Sequence, residues 1–332
     1  MIVAVTEPNQ VGDARHRAVD FARTLALEPR AGAVALVATE MASNLVKHCG
    51  GGELLLQSFD DVDGCGMELV ALDLGRGMEN FARSRADGHS TSGTQGTGLG
   101  AIARQSDQFC VYSRPGLGTA LHVRFVAAPP SMRPGTAPGF QIGVAVAPYP
   151  GEIQNGDAWR FLHASVGPSL LVVDGSGHGA EAARAADAAV AVFESHGHED
   201  CVRIVDRIHR ALSATRGAAV ALCRIDRTAQ KIVFTGIGNV AGAIVGSEGM
   251  RRMVSLAGTA GHNARKIQAF DYPFTQGLVV MHSDGLGSAW NLDRYPGLAR
   301  AHPTLVAAVL FRDFWRRRDD VTILVSRQDA AP

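Results

Sequence analysis

The stretch "AAPPSMRPGTAPG", Ala127 to Gly139, constrains the fold more than any other part of the chain. It is rich in proline, glycine and alanine, carries one charge and has no apolar period, so neither a helix nor a sheet continues through it. The 332 residues therefore divide into a domain over 1–127, a linker over 128–139 and a domain over 140–330, both domains of ordinary size. With 46% hydrophobic and 19% charged residues, each has the material for a core.

The two sides read differently. The first opens with a short apolar strand, "MIVAV". A helical period over Asp13 to Leu27 and a second helix from about Ala31 to His48, ending at the C-cap glycine Gly50, come next. Strands then read at "ELLLQSF", "GMELVALDL", "FCVYSRP" and "TALHVRFVA". Helices first and antiparallel-looking strands later predict an α+β sandwich. The second side reads as many strands, from "QIGVAVAPYP" to "VTILVSR", with helices at Ala180 to Ser195, His198 to Thr215 and Thr304 to Trp315. This predicts two packed sheets flanked by helices.

Charge narrows the function classes. Lys+Arg equals Asp+Glu at 32 each, so nothing draws the chain to nucleic acid or to an anionic membrane. No signal peptide and no membrane-length apolar run is evident. Five scattered cysteines without a C-x-x-C spacing read as reduced thiols of a cytoplasmic protein. Glycine is the outlier: 38 residues against about 23 at ordinary usage. The glycines cluster at Gly50–Gly52, Gly75–Gly77, Gly93–Gly100, Gly116–Gly118 and Gly175–Gly179, as loops that approach a ligand do.

Three pieces of the first side carry chemistry. In "VATEMASNLVKH", Glu40 and Asn44 stand four apart on one helical face and could orient a water and a magnesium ion. Taken alone, a solvated pair is the simpler reading. In "LVALDLGRGMEN", a strand ends at Asp73, and Gly75 and Gly77 follow. A buried acceptor there could take the exocyclic amine of adenine, although an ordinary turn fits equally. In "TSGTQGTGLGAIARQSDQF", Gly96, Gly98 and Gly100 lead into a helix, whose N-terminal N–H groups suit phosphate. A Rossmann reading fails on context, because this is not a first βα turn.

On the second side, "LLVVDGSGHG" ends a strand at Asp174. It is not a nucleophile elbow, because the G-x-S-x-G pattern is absent, and it is not a P-loop, because no lysine precedes a serine or threonine. An aspartate with the close-approaching Gly175 carbonyl suits a hard divalent cation. Asp157 follows a turn glycine in "IQNGDAW", Asp284 precedes Gly285 in "VVMHSDGLGSAW", and Asp319 and Asp320 precede the last strand in "RRRDDVTILVSR". Strand-capping turns explain any one of these. Together they are the raw material of a two-metal carboxylate site. His178 could serve as an acid, although packing of the turn is the simpler reading. "HGHED" reads as a loop with a helix cap.

In their order, the three pieces of the first side resemble the GHKL (Bergerat) ATP-binding α/β sandwich. They match its N-box (Glu40, Asn44), D-x-G-x-G box (Asp73, Gly75, Gly77) and G-x-G-x-G lid box (Gly96, Gly98, Gly100), with "PGLGTALHVRF" and Thr119 as the closing G-x-G-T segment. The likeness is to the bacterial anti-sigma and switch serine kinases of the RsbW and RsbT kind, with Arg76 where a proline is common. It implies ATP with Mg²⁺, Glu40 as general base for a partner hydroxyl, Asn44 on the Mg²⁺, and a STAS-domain switch protein as partner. "VVDGSGHG", "MHSDGLGSAW" and "DDVTILV" resemble the metal-dependent protein phosphatase (PPM) family in its SpoIIE and RsbX branch. That implies a β-sandwich flanked by helices, holding two Mn²⁺ or Mg²⁺ ions. Asp174 would bridge the ions, Gly175 would ligate through its carbonyl, and Asp157, Asp284 and Asp319 would complete the site. Asp319 is preferred to Asp320 on the family pattern, and Asn155 stands where that branch often has glycine.

The resulting expectation is an α+β two-domain regulator: a switch kinase domain joined to a serine/threonine phosphatase that acts on phosphorylated STAS proteins. A sigma factor is a further partner, and a homo-oligomer is compatible with the sequence. The alternative is a phosphatase whose first domain only senses nucleotide or sequesters a partner. A scaffold with two degenerate sites is the least favoured, because the polar motif residues are intact.

Overall fold

The structure, a computed structural model, describes residues 1–61, 64–78, 98–128, 140–164 and 167–328. Gly96 and the linker residues 129–139 fall outside them. The chain forms two units, one of Met1–Met132 with Tyr295–Arg312, the other of Arg133–Arg294 with Asp313–Pro332. The segment Tyr295–Arg312, which the sequence places in the second domain, thus groups with the first unit.

In the first unit, β1 (Ile2–Val5), β2 (Gly52–Asp61), β3 (Gly64–Asp73), β4 (Gln108–Ser113) and β5 (Thr119–Ala128) form one antiparallel sheet in the order β1-β2-β3-β5-β4. Helices α1 (Gln10–Thr24), α2 (Ala31–Cys49) and α3 (Gly98–Gln105) complete it. Alternation decides which face meets the helices. Met67, Leu69 and Ala71 of β3, with Leu121, Val123 and Phe125 of β5, join Val34, Val37, Ala38, Met41 and Leu45 of α2 in one core. Helix α2 stops where Gly50 turns to φ +73° and its neighbour Gly51 donates to the Leu45 carbonyl, the left-handed C-cap that the sequence indicates.

The other face of that sheet is polar and still buried. Register places Glu68 opposite both Gln57 and Arg124. Arg124 Nε donates to Glu68 Oε2 at 3.0 Å and its Nη1 pairs with Asp61 at 2.9 Å, while His122 Nε2 lies 2.8 Å from Glu68 Oε2. The segment Tyr295–Arg312 meets this face. Thr304 Oγ1 donates to Glu68 Oε2 at 3.5 Å, and the His302 and His122 rings stack at 5.0 Å.

The second unit has two sheets. One runs β13-β10-β9-β8-β7, with β14 paired to β10; the other runs β12-β11-β15-β16-β6. Their strands are β6 (Phe140–Ala147), β7 (Asp157–Ala164), β8 (Gly167–Gly175), β9 (Ala218–Asp226), β10 (Lys231–Ile237), β11 (Ala241–Gly246), β12 (Gly249–Met253), β13 (Ser255–Leu256), β14 (Phe270–Pro273), β15 (Gly277–His282) and β16 (Val321–Gln328). Period-two alternation again sorts the faces. Leu170, Val172, Ala221 and Cys223 join Ile142, Val144, Val279, Met281 and Leu324 in the core shared by the two sheets. Leu171, Val173, Val220 and Leu222 face outward onto α4 (Ala180–His196) and α5 (Cys201–Ala211), meeting Ala185, Ala189, Phe193, Ile204 and Ile208. The alanine run of α4 lets that helix lie close on the sheet. Asp200 caps α5, accepting from Arg203 N at 3.0 Å, so "HGHED" is a cap. Helix α6 (Pro303–Phe314), most of which falls in the first unit's segment Tyr295–Arg312, precedes β16, and every residue from Pro303 to Phe311 is buried. All five cysteines are free thiols. Among the described residues, no helix is long and apolar enough to cross a membrane.

The buried Glu68 cluster yields a stability prediction. Burial pushes the Glu68 carboxyl up, but Arg124 and His122 outweigh it and hold the group below its ordinary 4.5. Its stabilisation is therefore present above pH 4.5 and lost as pH falls. Burial also holds His122 below 6.5, which acts in the same direction. Glu68→Gln is expected to cost the first unit about 3 kcal/mol at pH 7, the low end for a broken buried pair because Asp61 still meets Arg124. Urea unfolding at pH 7 and pH 4 checks this. The deficit should shrink at the lower pH, and equal midpoints for mutant and wild type at pH 7 would contradict it.

Candidate functional site

The first site gathers around α2. Asp73 ends β3, and only 6% of it is exposed. Its Oδ1 accepts the N–H groups of Gly75 at 2.8 Å and Thr119 at 3.1 Å, so the carboxylate is held as a fixed acceptor. The backbone is drawn tight around it. Gly118 (φ +68°) packs on the Asp73 carbonyl and Gly77 (φ +70°) on the Arg114 carbonyl, where a side chain would collide in a conformation it rarely adopts. Thr119 Oγ1 lies 2.8 Å from Ser113 Oγ. Within the same unit, Arg312 Nη1 donates to the Asp73 carbonyl at 2.9 Å. Cys49, at the end of α2, hydrogen-bonds Asp73, and burial followed by that charge pushes its thiol up to about 12. Sequence reasoning missed this partner, because nothing marks a lone cysteine as a carboxylate's neighbour.

Nearer the middle of α2, Glu40 and Asn44 are half-buried and face the start of α3. A Cβ on Gly98 would lie 2.8 Å from Glu40 Oε2 and 4.0 Å from Asn44 Oδ1. The helix period and the glycine thus bring the first and third sequence motifs together. Gly100 is buried inside α3. From Glu40 to Cys49, the residue that contacts Asp73, the helix spans roughly 13 Å.

The second site is built by register. β7 and β8 pair antiparallel with Asp157 directly opposite Asp174. β7 begins at Asp157 and β8 ends at Gly175, so both acids emerge at one end of the sheet. Asp284 follows β15, and Asp319 and Asp320 precede β16, which pairs with β15. The Asp284 backbone N–H hydrogen-bonds the Asp174 carboxylate. Asp157 Oδ2 accepts Ser283 Oγ at 2.6 Å, and Asp284 Oδ2 accepts Asn239 Nδ2 at 2.5 Å. Asn155 Oδ1 receives the Asp157 N–H at 3.0 Å, so asparagine here shapes the turn that aims Asp157. Gly175 packs against the Ala182 and Gly156 carbonyls, and Gly156 against Asp320, whose Oδ2 would lie 2.6 Å from a Cβ. Asp320 accepts the Tyr149 N–H on Oδ1 at 2.8 Å, and its buried Oδ2 has no hydrogen-bond partner among the described residues.

These carboxylates repel one another. Burial, then the charges of Asp284 and Asp319, push Asp174 up to about 7. Burial and Asp174 push Asp157 well above its ordinary value, and burial with Asp319 raises Asp284. Asp319 is raised by burial and by Asp320. Among the described residues, no three such side chains close around a single point; the acids meet pairwise. The donors are all hard oxygens, mutually repelling, with one buried oxygen unpartnered, and that set fits hard divalent cations. Ser283 and Asn239, which steady two of the carboxylates, were invisible in the sequence. The only trace of Asn239 was its place after a strand-end glycine in "GIGNV".

With this geometry established, known proteins supply the comparison. Residues 4–125 match the histidine kinase-like ATPase domain family. Over 83 residues, 25% of this chain, the sequence is 32% identical to the serine/threonine-protein kinase RsbT of Bacillus subtilis (strain 168), and the match spans 62% of that kinase's length. Among solved structures, a chain from work on the bacterial stressosome as a modular system adapted to control secondary messenger signalling is 33% identical, with a TM-score of 0.53, covering 57% of this chain and 99% of that one. RsbX, solved in complex with magnesium, is 20% identical with a TM-score of 0.51, covering 58% of this chain and 97% of that one. The likeness to these chains is one of fold, and the fold of the second unit is a β-sandwich flanked by helices.

The repulsion among the acids is directly measurable. At pH 8, Asp174→Asn should stabilise the metal-free protein by roughly 1–3 kcal/mol, because it removes a buried charge among like charges. A divalent cation such as manganese should raise the Tm of the wild type, and the same change should abolish that rise. Thermal melts with chelator and with manganese check both. A mutant that melts lower than wild type in chelator and still responds to manganese would contradict the placement.

Proposed function

We propose that the chain is a cytoplasmic signalling regulator whose ATP-binding, switch-kinase-like domain is joined to a metal-dependent serine/threonine phosphatase. Its substrate is a STAS-domain switch protein in phosphorylated and unphosphorylated forms, with a sigma factor as a further partner. The observation that supports the phosphatase reading is the pairwise approach of Asp157, Asp174, Asp284 and Asp319 at one end of the sandwich, with carboxyl groups raised by burial and then by one another's charge.

In this reading, Asp157, Asp174, Asp284, Asp319 and the Gly175 carbonyl would hold two Mn²⁺ or Mg²⁺ ions. The chemistry that two such ions supply when bound is Lewis-acid activation of water and neutralisation of phosphate charge. Ser283 and Asn239 orient Asp157 and Asp284 by the hydrogen bonds they already make, as supporting groups around metal ligands do.

In the first domain, Asp73 receives the adenine amine, with Gly75 and Gly77 letting the backbone approach the base. Gly98 and Gly100, at the start of α3, turn backbone N–H groups toward phosphate; Gly96 belongs to the same motif outside the described residues. Asn44 helps to hold Mg²⁺, and Glu40 accepts the proton of the partner's serine or threonine hydroxyl. The likeness to RsbT favours a kinase over a domain that only senses nucleotide.

Two measurements test this. The full chain with manganese should dephosphorylate a phosphorylated STAS protein, and Asp174→Asn should lower that rate at least about a thousandfold; near-normal turnover by the mutant would sink the metal assignment. For the first domain, Asp73→Asn should weaken a non-hydrolysable ATP analogue by about 1–3 kcal/mol, because an amide N–H would face the adenine amine. Glu40→Gln should retain that affinity and lose phosphate transfer. Transfer at the wild-type rate by Glu40→Gln would leave Glu40 without its role, and no transfer by the wild type would favour nucleotide sensing.

A further inference from the structure

The segment Tyr295–Arg312 belongs to the first unit, and the function proposed above gives it no task. Among the described residues, the hydrophobic core between that unit's sheet and helices draws only on positions 3–125, so the segment is not what closes it. Two of its polar contacts fall instead on the turns that shape the Asp73 acceptor. Those turns, 73–78 after β3 and 113–119 between β4 and β5, are stitched to each other. Thr119 N donates to Asp73 Oδ1 at 3.1 Å, Gly116 N to the Arg76 carbonyl at 2.9 Å, and Met78 N to Ser113 Oγ at 2.9 Å. The segment then braces both turns. Arg114 Nε donates to the Pro296 carbonyl at 3.2 Å, and Arg312 Nη1 donates to the Asp73 carbonyl at 2.9 Å. Gly297, at φ +82°, keeps the space for the first brace, because a Cβ there would stand 3.1 Å from Arg114 Nη2.

The second brace bears on chemistry. The Asp73 carbonyl belongs to the peptide on which β3 ends. That peptide opens a turn in which Gly75 N comes back to Asp73 Oδ1 at 2.8 Å, the aspartate's side chain capping its own turn. The plane of the peptide decides where Gly75 arrives, and so where the carboxylate stands. Gly118 crowds the same carbonyl, and a Cβ on it would lie 2.1 Å from the oxygen, so a small rotation of the plane is felt at once. A water would satisfy a half-buried carbonyl well enough. A guanidinium does more, because a charged donor binds more strongly and the group is planar and directional. Arg312 also extends from a helix whose preceding residues, Pro303 to Phe311, are all buried, so the backbone that carries it is fixed.

We propose that Arg312 is a positioning residue for nucleotide recognition: by holding the Asp73 carbonyl it aims the Asp73 carboxylate at the exocyclic amine of adenine. The nucleotide site is thereby completed from a segment 239 residues further along the chain. This rests on the reading of Asp73 as the adenine acceptor. Arg312 acts through Asp73, so its removal costs selectivity for the amine and leaves the binding of the phosphates, at the start of α3, in place. A contact that merely steadied the fold would weaken every nucleotide alike.

The experiment is calorimetry on the full chain with two nucleotides: a non-hydrolysable ATP analogue, and the same analogue built on purine riboside, which lacks the exocyclic amine. The wild type should prefer the first. Arg312→Ala should reduce that preference about tenfold, the worth of one well-placed hydrogen bond, by weakening the ATP analogue while the purine form changes little. Arg312→Gln, closer in size, should reduce it in the same direction and carries the test should the alanine variant fail to fold. In an Asp73→Asn background, replacing Arg312 should cost nothing further, as expected of two residues acting as one unit. An unchanged preference, equal losses of both nucleotides, or a further loss in the Asp73→Asn background would overturn the proposal. A wild type that binds neither nucleotide, or both equally, would overturn the adenine reading itself, and this inference with it.

Discussion

The interaction on which the second unit's chemistry depends is a repulsion. Antiparallel register sets Asp157 against Asp174, and neither can move away, because both sit at the ends of strands locked between an apolar core and a helical layer. Burial and like charge then raise both carboxyl groups. Such an arrangement weakens the fold unless protons or cations neutralise it. The surrounding polar groups, Ser283 on Asp157 and Asn239 on Asp284, hold the acids in place without neutralising them. A site built this way has its affinity for cations written into its strain.

The first unit handles buried charge in the opposite manner. Arg124 offsets the charge of Glu68 on a sheet face, His122 and Gln57 hydrogen-bond the same carboxylate, and Thr304 and His302 add to the cluster. Those last two residues come from Tyr295–Arg312, which belongs to the first unit. Along the chain, this segment lies between Asp284 and Asp319. The backbone therefore leaves Asp284 of the proposed metal site, contributes to the sheet face and hydrogen-bonds the Asp73 carbonyl of the first unit, and resumes the second unit at Asp313, ahead of Asp319. Covalent order thus interleaves the two sites along the chain.

The sequence showed clearly what local rules determine. The four-residue spacing of Glu40 and Asn44 puts them on one helical face, and α2 ends at its capping glycine as expected. Aspartates at the ends of apolar runs mark strand ends, and those runs alternate as two packed sheets require. What depends on register stayed hidden. Glu68 and Arg124 read as ordinary strand charges until pairing sets them opposite each other. Ser283, Asn239 and Cys49 matter only through the carboxylate each touches. β12, "GMRRM", and the short β14, "FDYP", carry too much charge or too little length to read as strands. Tyr295–Arg312 has the pattern of a buried helix, but no pattern tells which unit buries it. Gly96 and the linker lie outside the described residues.

The central claim is that one chain holds a nucleotide and a pair of divalent cations at separate sites. Binding stoichiometry on the full chain tests it most directly, with calorimetry for a non-hydrolysable ATP analogue and equilibrium dialysis for manganese. The account requires one nucleotide per chain, lost in Asp73→Asn, and two manganese ions in the absence of nucleotide, lost in Asp174→Asn, with neither change disturbing the other site. A chain that binds no manganese without nucleotide, or whose Asp174→Asn form keeps both ions, would contradict it.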